Sequence, residues 1–465
     1  MFKIYNTLTR EINEFKSIKE GTVSLYTCGP TVYNYAHIGN LRTYIFEDLL
    51  KRWLLYKGYT VIHIMNITDV DDKTIRDSQK ENISLKEFTK KYTSSFFEDI
   101  KTLNILPANN YPCATETIPE MIEIIKKLIE KGYAYQGEDK CWYFSVSKFK
   151  DYGKLAHMDL SELKSGARVA QDEYEKQQVA DFALWKAWDE KDGDVYWETE
   201  LGKGRPGWHI ECTAMSTKYL GNHFDIHCGG VDNMFPHHEN EIAQTEAATG
   251  ETFVNYWLHS EHLIVEGKKM SKSTGNFYTL RDLLNKGYKP SAIRWLMLST
   301  HYREQLNFTF DALKSSTETL QNIDLFIQRI ILKEKETEEG KTAEIDEFVD
   351  DARNGFVEAM DNDLQISQAL PNLFGFINKI NTKIDLMKKE DFKSVLEFLK
   401  ELDSVLGVMK FELPEVPKEV GNLLEQRNKA RAEKDWETSD KIRDQLIEMG
   451  YEVHDDKGKT KIYKK

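Results

Sequence analysis

Residues 24–68 constrain the fold more than any other stretch. SLYTCG at 24–29 reads as a strand that stops at the Gly29-Pro30 turn. LRTYIFEDLLKRWLLYKGY at 41–59 places apolar residues at helical spacing and stops at Gly58. TVIHIMNIT at 60–68 is a nearly continuous apolar run, the pattern of a parallel-sheet strand covered on both faces. Strand, helix and strand make one βαβ unit. Ligands of such units bind at the carboxyl ends of the strands, where Cys28 and Thr68 both fall.

The remaining text extends this α/β plan. Helices are predicted over 84–105, 117–135, 207–221 and 235–250, the last with Pro236 near its start and Gly250 at its end. HFDIHCGG at 223–230 reads as a buried strand ending in two glycines. Residues 136–205 differ from their surroundings. The short strand CWYFSV and the segments DFALWKAW and VYWE flank a charged, loop-like SGARVAQDEYEK, and together they read as an insertion into the first domain. From about 311 to about 412 the pattern is helical, with an acidic break at KEKETEEGKTAE. PEVPKEV at 414–420 is a linker, and LLEQRNKARAEKDWETSDKIRDQLIEMG is a helical pair or one long helix. There is no internal repeat.

With 465 residues, 40% of them hydrophobic, the chain has room for two to four domains and at least one large core. No apolar run approaches the roughly 20 residues needed to cross a bilayer, and the N-terminus lacks a signal-peptide apolar segment. A cytoplasmic protein without a membrane partner is expected. Cys28, Cys113, Cys141, Cys212 and Cys228 are odd in number and widely spaced, so reduced thiols or metal ligands are expected rather than a disulfide framework. The net charge of −14 confines any nucleic-acid contact to a local basic patch. KGKTKIYKK at 457–465 is either such a patch or a solvated tail.

Two constellations carry chemistry. Residues 209–266 hold Cys212, His227, Cys228, His237, His238, Glu239 and Glu241, all side chains that zinc accepts or that sit among such ligands. His237 and Glu241 are four apart and share a helix face; His238 shares one with Glu241 as well. No CxxC anchors the set, so spacing leaves open both a metal centre and buried cysteines beside a polar helix start. The second constellation is GKKMSKSTGNF at 267–277, whose lysines and small residues suit a polyphosphate although the Walker pattern is absent.

AHIGN at 36–40 and KMSKS at 269–273 resemble the two signatures of class I aminoacyl-tRNA synthetases. Together with CGPTVYNYAHIGNLRTY, NITDVDDKTI (66–75), GWHIECTAMS (207–216), HCGGVDNMFPHHENEIAQ (227–244) and HYREQLNFT (301–309), they resemble the cysteinyl-tRNA synthetase family from about residue 20 onward. The resemblance implies a Rossmann-like parallel-sheet catalytic domain over 1–135 and 206–260, and a connective insertion over 136–205. It further implies a KMSKS and stem-contact region over 261–310, a helical bundle over 311–413 and a small C-terminal anticodon-binding region over 414–465. By the same resemblance, Cys28, Cys212, His237 and Glu241 would hold one zinc ion that tells cysteine from serine. A hydrophobic pocket alone separates such near-isosteres by only ~1–3 kcal/mol, whereas zinc prefers a soft thiolate.

His37, Gly39, Asn40, Lys269, Lys272, Gly229, Gly230 and Asp232 would face ATP with its Mg²⁺, and Thr68 and Trp208 the amino acid. Arg427, Arg431, Trp436 and Arg443, with Lys434 and Lys441, would contact tRNA. The implied substrates are L-cysteine, ATP and tRNA(Cys), and the implied state is a monomer. Asn40 stands where the family's signature has a second histidine, which removes a charge but keeps a hydrogen-bonding group. Two rivals remain: a ligase joining cysteine to a sugar-like amine, which would lack the C-terminal region, and a non-catalytic RNA-binding relic, which would have no use for the site residues.

Overall fold

The computed structural model describes residues 1–158, 181–271, 275–456 and 459–464. Their contacts divide into two compact units. The first comprises Met1–Gly287, Thr300–Phe308 and Met360–Gln365; the second comprises Tyr288–Ser299, Thr309–Ala359 and Ile366–Lys465.

The first unit is built on a four-stranded, all-parallel sheet of β1 (Thr22–Thr27), β2 (Thr60–Met65), β3 (Phe224–Gly230) and β4 (Val254–Ser260), in the order β4-β3-β1-β2. The βαβ expectation is met: α1 (Ile38–Tyr56) joins β1 to β2. β4 is the strand that periodicity missed, because VNYWLHS mixes polar and apolar residues without a clean repeat. The chain leaves β1 toward one edge of the sheet and β3 toward the other. That reversal opens a crevice at their carboxyl ends.

α2 (Trp208–Leu220) and α3 (Glu239–Thr249) cover the sheet beside the crevice, and α3 ends at Gly250 with φ +82. Eight consecutive residues of α2, His209–Ser216, are buried, so its polar ones must find partners inside the protein. Across the stretch expected to be an insertion, Ala134–Gln136, Trp142–Phe144, Phe182–Ala187, Gly202–Pro206 and Trp197–Thr199 form a five-stranded antiparallel sheet that begins before residue 136 and ends after residue 205. The charged part of the insertion, 159–180, lies outside the described residues.

The unit is closed by the short segment Met360–Gln365. Asp363, fully buried, accepts hydrogen bonds from the Tyr5 N–H (2.8 Å), the Tyr302 hydroxyl (2.7 Å) and Arg303 Nε (2.8 Å). Its own N–H donates to the Lys3 carbonyl at 2.8 Å.

In the second unit α4 (Phe310–Glu336), α5 (Ala343–Asp361), α6 (Ile366–Lys383) and α7 (Lys389–Leu406) form the helical region, with the break between α4 and α5 inside the acidic stretch. The buried Arg294 donates from Nε to the Leu406 carbonyl at 2.7 Å, satisfying the C-terminal turn of α7. The last region is a helical pair, α8 (Lys418–Ala432) and α9 (Trp436–Glu448), followed by a hairpin of β5 (Tyr451–Asp456) and β6 (Lys459–Lys464). Val420, Ile442, Leu446, Tyr451 and Val453 make its small core. Of the basic C-terminal residues 457–465, those described, Lys459–Lys464, are therefore not a loose tail, and 457, 458 and 465 lie outside the described residues. Lys459–Lys464 pairs along β5, and Lys461 meets Glu336.

Candidate metal centre and nucleotide cleft

A cavity of about 550 Å³ opens at the carboxyl ends of β1 and β3. Cys28, His37, Gly39, Asn40, Thr68, Trp208, Cys212, Gly230, Asp232, His237 and Lys269 line it, so the fold gathers these sequence-predicted residues into one place. Glu241 is fully buried, with Oε1 3.1 Å from Nε2 of the cavity-lining His237. Gly229 sits just behind, where a Cβ would come within 2.8 Å of the His238 ring. Lys272 lies outside the described residues.

Cys28 follows β1, held by its N–H donating to the Cys228 carbonyl at 3.3 Å. The next residue must be glycine, because a Cβ on Gly29 would fall 1.7 Å from the Asn66 carbonyl oxygen. Cys212 comes from α2, and His237 and Glu241 from the start of α3 and the turn before it. Their donor atoms all lie within 4.8 Å of one another. A second set, Cys28, His227, His238 and Glu241, meets the same limit and shares two members with the first. Within the pair of sets, His237 Nε2 is 3.1 Å from Glu241 Oε1, His227 Nε2 is 3.0 Å from Glu241 Oε2, and Cys28 Sγ is 3.2 Å from His238 Nε2. The ambiguity about His238 seen in the sequence thus persists in the geometry.

Burial sets the protonation of this cluster. It pushes His227 and His237 down to about 3, so both imidazoles are neutral and can donate a lone pair. It pushes Glu241 up to about 8 against the opposing pull of His237. The Cys212 thiol is held well above its usual range by its hydrogen bond with Cys28 and then by burial. For Cys28 the same bond acts downward, and burial and Glu241 outweigh it. Glu241 Oε1 is buried without a hydrogen-bond partner. Two soft sulfurs, an imidazole and an orphaned carboxylate oxygen fit a zinc ion, whose charge would reverse every one of the upward shifts.

The surroundings orient the donors. Trp208 stacks on His237 with ring centroids 4.1 Å apart, and His209 Nδ1 lies 2.9 Å from His237 Nδ1. His238 Nδ1 meets His259 Nε2 at 2.8 Å, and His259 Nδ1 meets Thr7 Oγ1 at 2.9 Å. Sequence reasoning did not single out His209, His259 or Glu211. Each sits in a run that reads as buried structure, and only its contacts mark it out.

At the other end of the cleft His37 caps α1. Its Nδ1 accepts from the Asn40 N–H at 3.2 Å, and Asn40 Oδ1 accepts from the His37 N–H at 3.2 Å. Asparagine at position 40 therefore completes a reciprocal cap. The Ile38 N–H donates to the Tyr278 carbonyl at 2.9 Å, and Asn276 pins the lysine loop by accepting from the Ser271 N–H (2.8 Å) and donating to the Lys269 carbonyl (3.2 Å). A helix N-terminus facing exposed lysines suits bound phosphates.

A family model described as the tRNA synthetase class I (C) catalytic domain matches residues 14–318, and one of the cysteinyl-tRNA ligase anticodon-binding domain matches 413–462. The chain belongs to the cysteinyl-tRNA synthetase family. A DALR-domain model matches 355–410 of this synthetase. The cysteine–tRNA ligase of Protochlamydia amoebophila is 50% identical over 99% of this chain and 98% of its own length. Those of Chlamydia caviae (51%, 99% and 97%) and Brachyspira hyodysenteriae (50%, 97% and 97%) are similar to the same degree. The chain is thus a class I aminoacyl-tRNA synthetase of the cysteine–tRNA ligase type. Among solved structures, Mycobacterium tuberculosis methionyl-tRNA synthetase with methionyl-adenylate superposes with a TM-score of 0.62 at 15% identity, over 88% of this chain and 94% of that one. LeuRS of Agrobacterium radiobacter K84, solved with tRNA, gives 0.60 at 10%, over 85% of each. Both likenesses concern the fold. Among the described residues no helix is long and apolar enough to cross a membrane.

The synthetase's C-terminal residues separate into two kinds. Trp436 is 56% exposed, and Arg443, Lys434 and Lys441 also face solvent. Arg427 is not presented to solvent. It is buried, donating to Asp455 Oδ1 at 2.6 Å and to the Ser439 carbonyl at 3.3 Å, because the hairpin folds back over α8. Arg431 lies between the two kinds, 3.0 Å from Asp455 and 5.8 Å from the Trp436 ring.

Proposed function

We propose that the protein attaches L-cysteine to tRNA(Cys) through a cysteinyl-adenylate, and that it selects cysteine over serine at a zinc centre formed by Cys28, Cys212, His237 and Glu241. The observation that carries this reading is the buried four-donor cluster beside a cleft lined by His37, Gly39 and Asn40 and by Lys269 and Met270. The set with two sulfurs is preferred to the set with one because zinc favours thiolates. Bound there, zinc supplies a soft Lewis acid that favours a thiolate over a neutral hydroxyl, so no editing site is required.

The chain's own groups do the rest by positioning. Thr68 and Trp208 orient the amino acid above the cluster. His37, at the start of α1, and Gly39, Asn40, Gly229, Gly230 and Asp232 receive the nucleotide. Lys269 and Lys272 stabilise charge on the phosphates together with Mg²⁺. The cysteinyl group then passes to the 3′-terminal adenosine of the tRNA. In this scheme 136–205 is the connective insertion and 261–310 the stem-contact region. The region 414–465 binds the anticodon through Arg431, Trp436 and Arg443, with Lys434 and Lys441. Phosphate contacts position the RNA, and the exposed indole stacks on an unpaired base.

The test is transfer of labelled cysteine onto total tRNA, with serine in parallel and zinc assayed in the same preparation. Cysteine-only charging with about one zinc per chain supports the whole reading. Adenylate without charging removes the tRNA step, and charging of cysteine by zinc-free protein removes the metal from selection.

A further inference from the structure

The chain that follows the lysine loop lies along the start of α1. The Phe277 ring meets the His37 ring edge-on with centroids 5.2 Å apart, the Tyr278 carbonyl accepts from the Ile38 N–H at 2.9 Å, and Thr279 pairs with His37 in an isolated antiparallel bridge. Arg281, in the short helix Leu280–Asn285, places its guanidinium carbon 4.5 Å from the centroid of the Tyr35 ring. Tyr35, His37 and Phe277 all line the nucleotide cleft. Residues 277–281 therefore form a strap against residues 35–38.

Arg281 anchors the strap to a third element. Its Nη1 donates to both oxygens of Asp99, at 2.7 and 3.0 Å, and its Nη2 donates to Glu98 Oε2 at 3.1 Å. Both acids belong to the helix Leu85–Thr102. Glu98 is exposed, and its share of the grip is small. The Asp99 side chain is only 4% exposed, so it needs a cation at hand. The same helix sets Tyr92 edge-on against Tyr35, with centroids 5.4 Å apart. One planar guanidinium thus grips a buried carboxylate and covers an aromatic ring at once. A lysine could supply the charge but neither the fork nor the flat face.

The strap begins where the lysine loop ends. Asn276, which accepts from the Ser271 N–H and donates to the Lys269 carbonyl, is the residue before Phe277. A slip of Phe277–Arg281 along α1 is passed through Asn276 to Lys269. We propose that Arg281 is a positioning residue for adenylate formation: by clamping the strap to Asp99 and Tyr35, it sets the register of the lysine loop against the start of α1. This rests on the reading of His37 and the lysines as the nucleotide end of the cleft. Arg281 touches no reacting atom. Its effect falls on charge stabilisation at the phosphates, and so on kcat, and leaves the cysteine end of the cleft as it was.

The experiment is cysteine-dependent pyrophosphate exchange by the full chain loaded with zinc, with thermal melts and zinc content measured on the same samples. Arg281→Ala is expected to lower kcat by about 10- to 100-fold and to leave KM for cysteine and zinc content unchanged. Arg281→Lys, which returns a charge to Asp99, is expected to recover the melting temperature but not kcat. In a background of Lys269→Ala with Lys272→Ala, the further change Arg281→Ala should cost less than about threefold, because the groups it positions are gone. Full recovery of kcat in Arg281→Lys overturns the proposal and leaves a structural ion pair. An undiminished loss in the background without the two lysines overturns it as well, since the effect would then not run through the loop. If Arg281→Ala does not fold, Arg281→Lys and Tyr35→Leu, each with and without the two lysines, decide the matter by the same criteria. Failure of the unaltered protein to exchange pyrophosphate with cysteine would instead remove the nucleotide reading itself.

Discussion

Glu241 meets His227 through Oε2, while its Oε1 lies 3.1 Å from His237 Nε2 without a hydrogen bond. With Cys28 it belongs to both donor sets into which the cluster can be divided, and substitution separates them. Cys212→Ser should reduce bound zinc from about one per chain to near none and raise KM for cysteine at least 100-fold, whereas His227→Gln should retain the metal; zinc analysis on gel-filtered protein checks both. Proton release gives a second reading. Glu241 near 8 and two raised thiols mean that the metal-free cluster is largely protonated at pH 7. Zinc uptake by stripped protein should therefore expel about two to three protons, measurable by calorimetry in buffers of different ionisation heat. Affinity should fall as pH drops, since protons compete for the same donors. From the sequence, the His237–Glu241 pair was legible by spacing, with His238 as a competitor for the same carboxylate. Cys28 and Cys212 lie too far apart for any local pattern, and only the packing of α2 against the sheet brings them together. His209 and His259 were illegible because a buried polar residue in an apolar run looks the same whether it supports a ligand or merely fills the core.

At the scale of elements, strong periodicity was read well and weak periodicity was not. α1, β1, β2, α2 and α3 stand close to where apolar spacing and the glycine stops put them. β4 and the N-terminal hairpin of Lys3–Asn6 with Glu11–Glu14 were missed, their alternation being broken by polar residues that gain partners only in three dimensions. The C-terminal hairpin carries the clearest functional test. Removal of 459–465 takes β6 from β5 and uncovers Tyr451 and Val453. The expected result is loss of tRNA charging with cysteine-dependent pyrophosphate exchange preserved. Loss of both activities would show that the hairpin also supports adenylate formation. α4 carries a pH-dependent cost. Burial raises Asp324 to about 6, against the pull of Lys410 and Lys289, and its Oδ1 has no hydrogen-bond partner. Its folded pKa lies above its unfolded one, so the folded state binds the extra proton and loses stability as pH rises from about 4 to about 6. Asp324→Asn should stabilise the helical unit by about 1–2 kcal/mol at pH 7, after discounting for partial exposure, and have little effect at pH 4. Thermal melts at the two values measure the difference.

For the whole molecule, the notable fact is that the catalytic unit is not continuous in sequence. After Phe308 the chain enters the second unit and returns for the single segment Met360–Gln365, where Asp363 takes hydrogen bonds from Tyr5, Tyr302 and Arg303. Asp363→Ala would leave the buried Tyr302 hydroxyl, the Tyr5 N–H and the half-buried Arg303 guanidinium without their acceptor, at about 2–3 kcal/mol. The urea midpoint of the catalytic unit should fall accordingly, without change in zinc content. A fragment ending near residue 310 should be less stable still, although it holds all the residues assigned to the cleft. The same arrangement imposes a timetable on biosynthesis. At about 5–20 residues per second a ribosome needs roughly 3–10 s to travel the ~50 residues from Phe308 to Met360. Protease digestion of ribosome-bound chains stalled before and well after residue 365 would expose the interval as a loss of susceptibility. Until that stretch clears the exit tunnel, a nearly finished cleft waits for its last strut, and it is during those seconds that the nascent enzyme most needs a chaperone's cover.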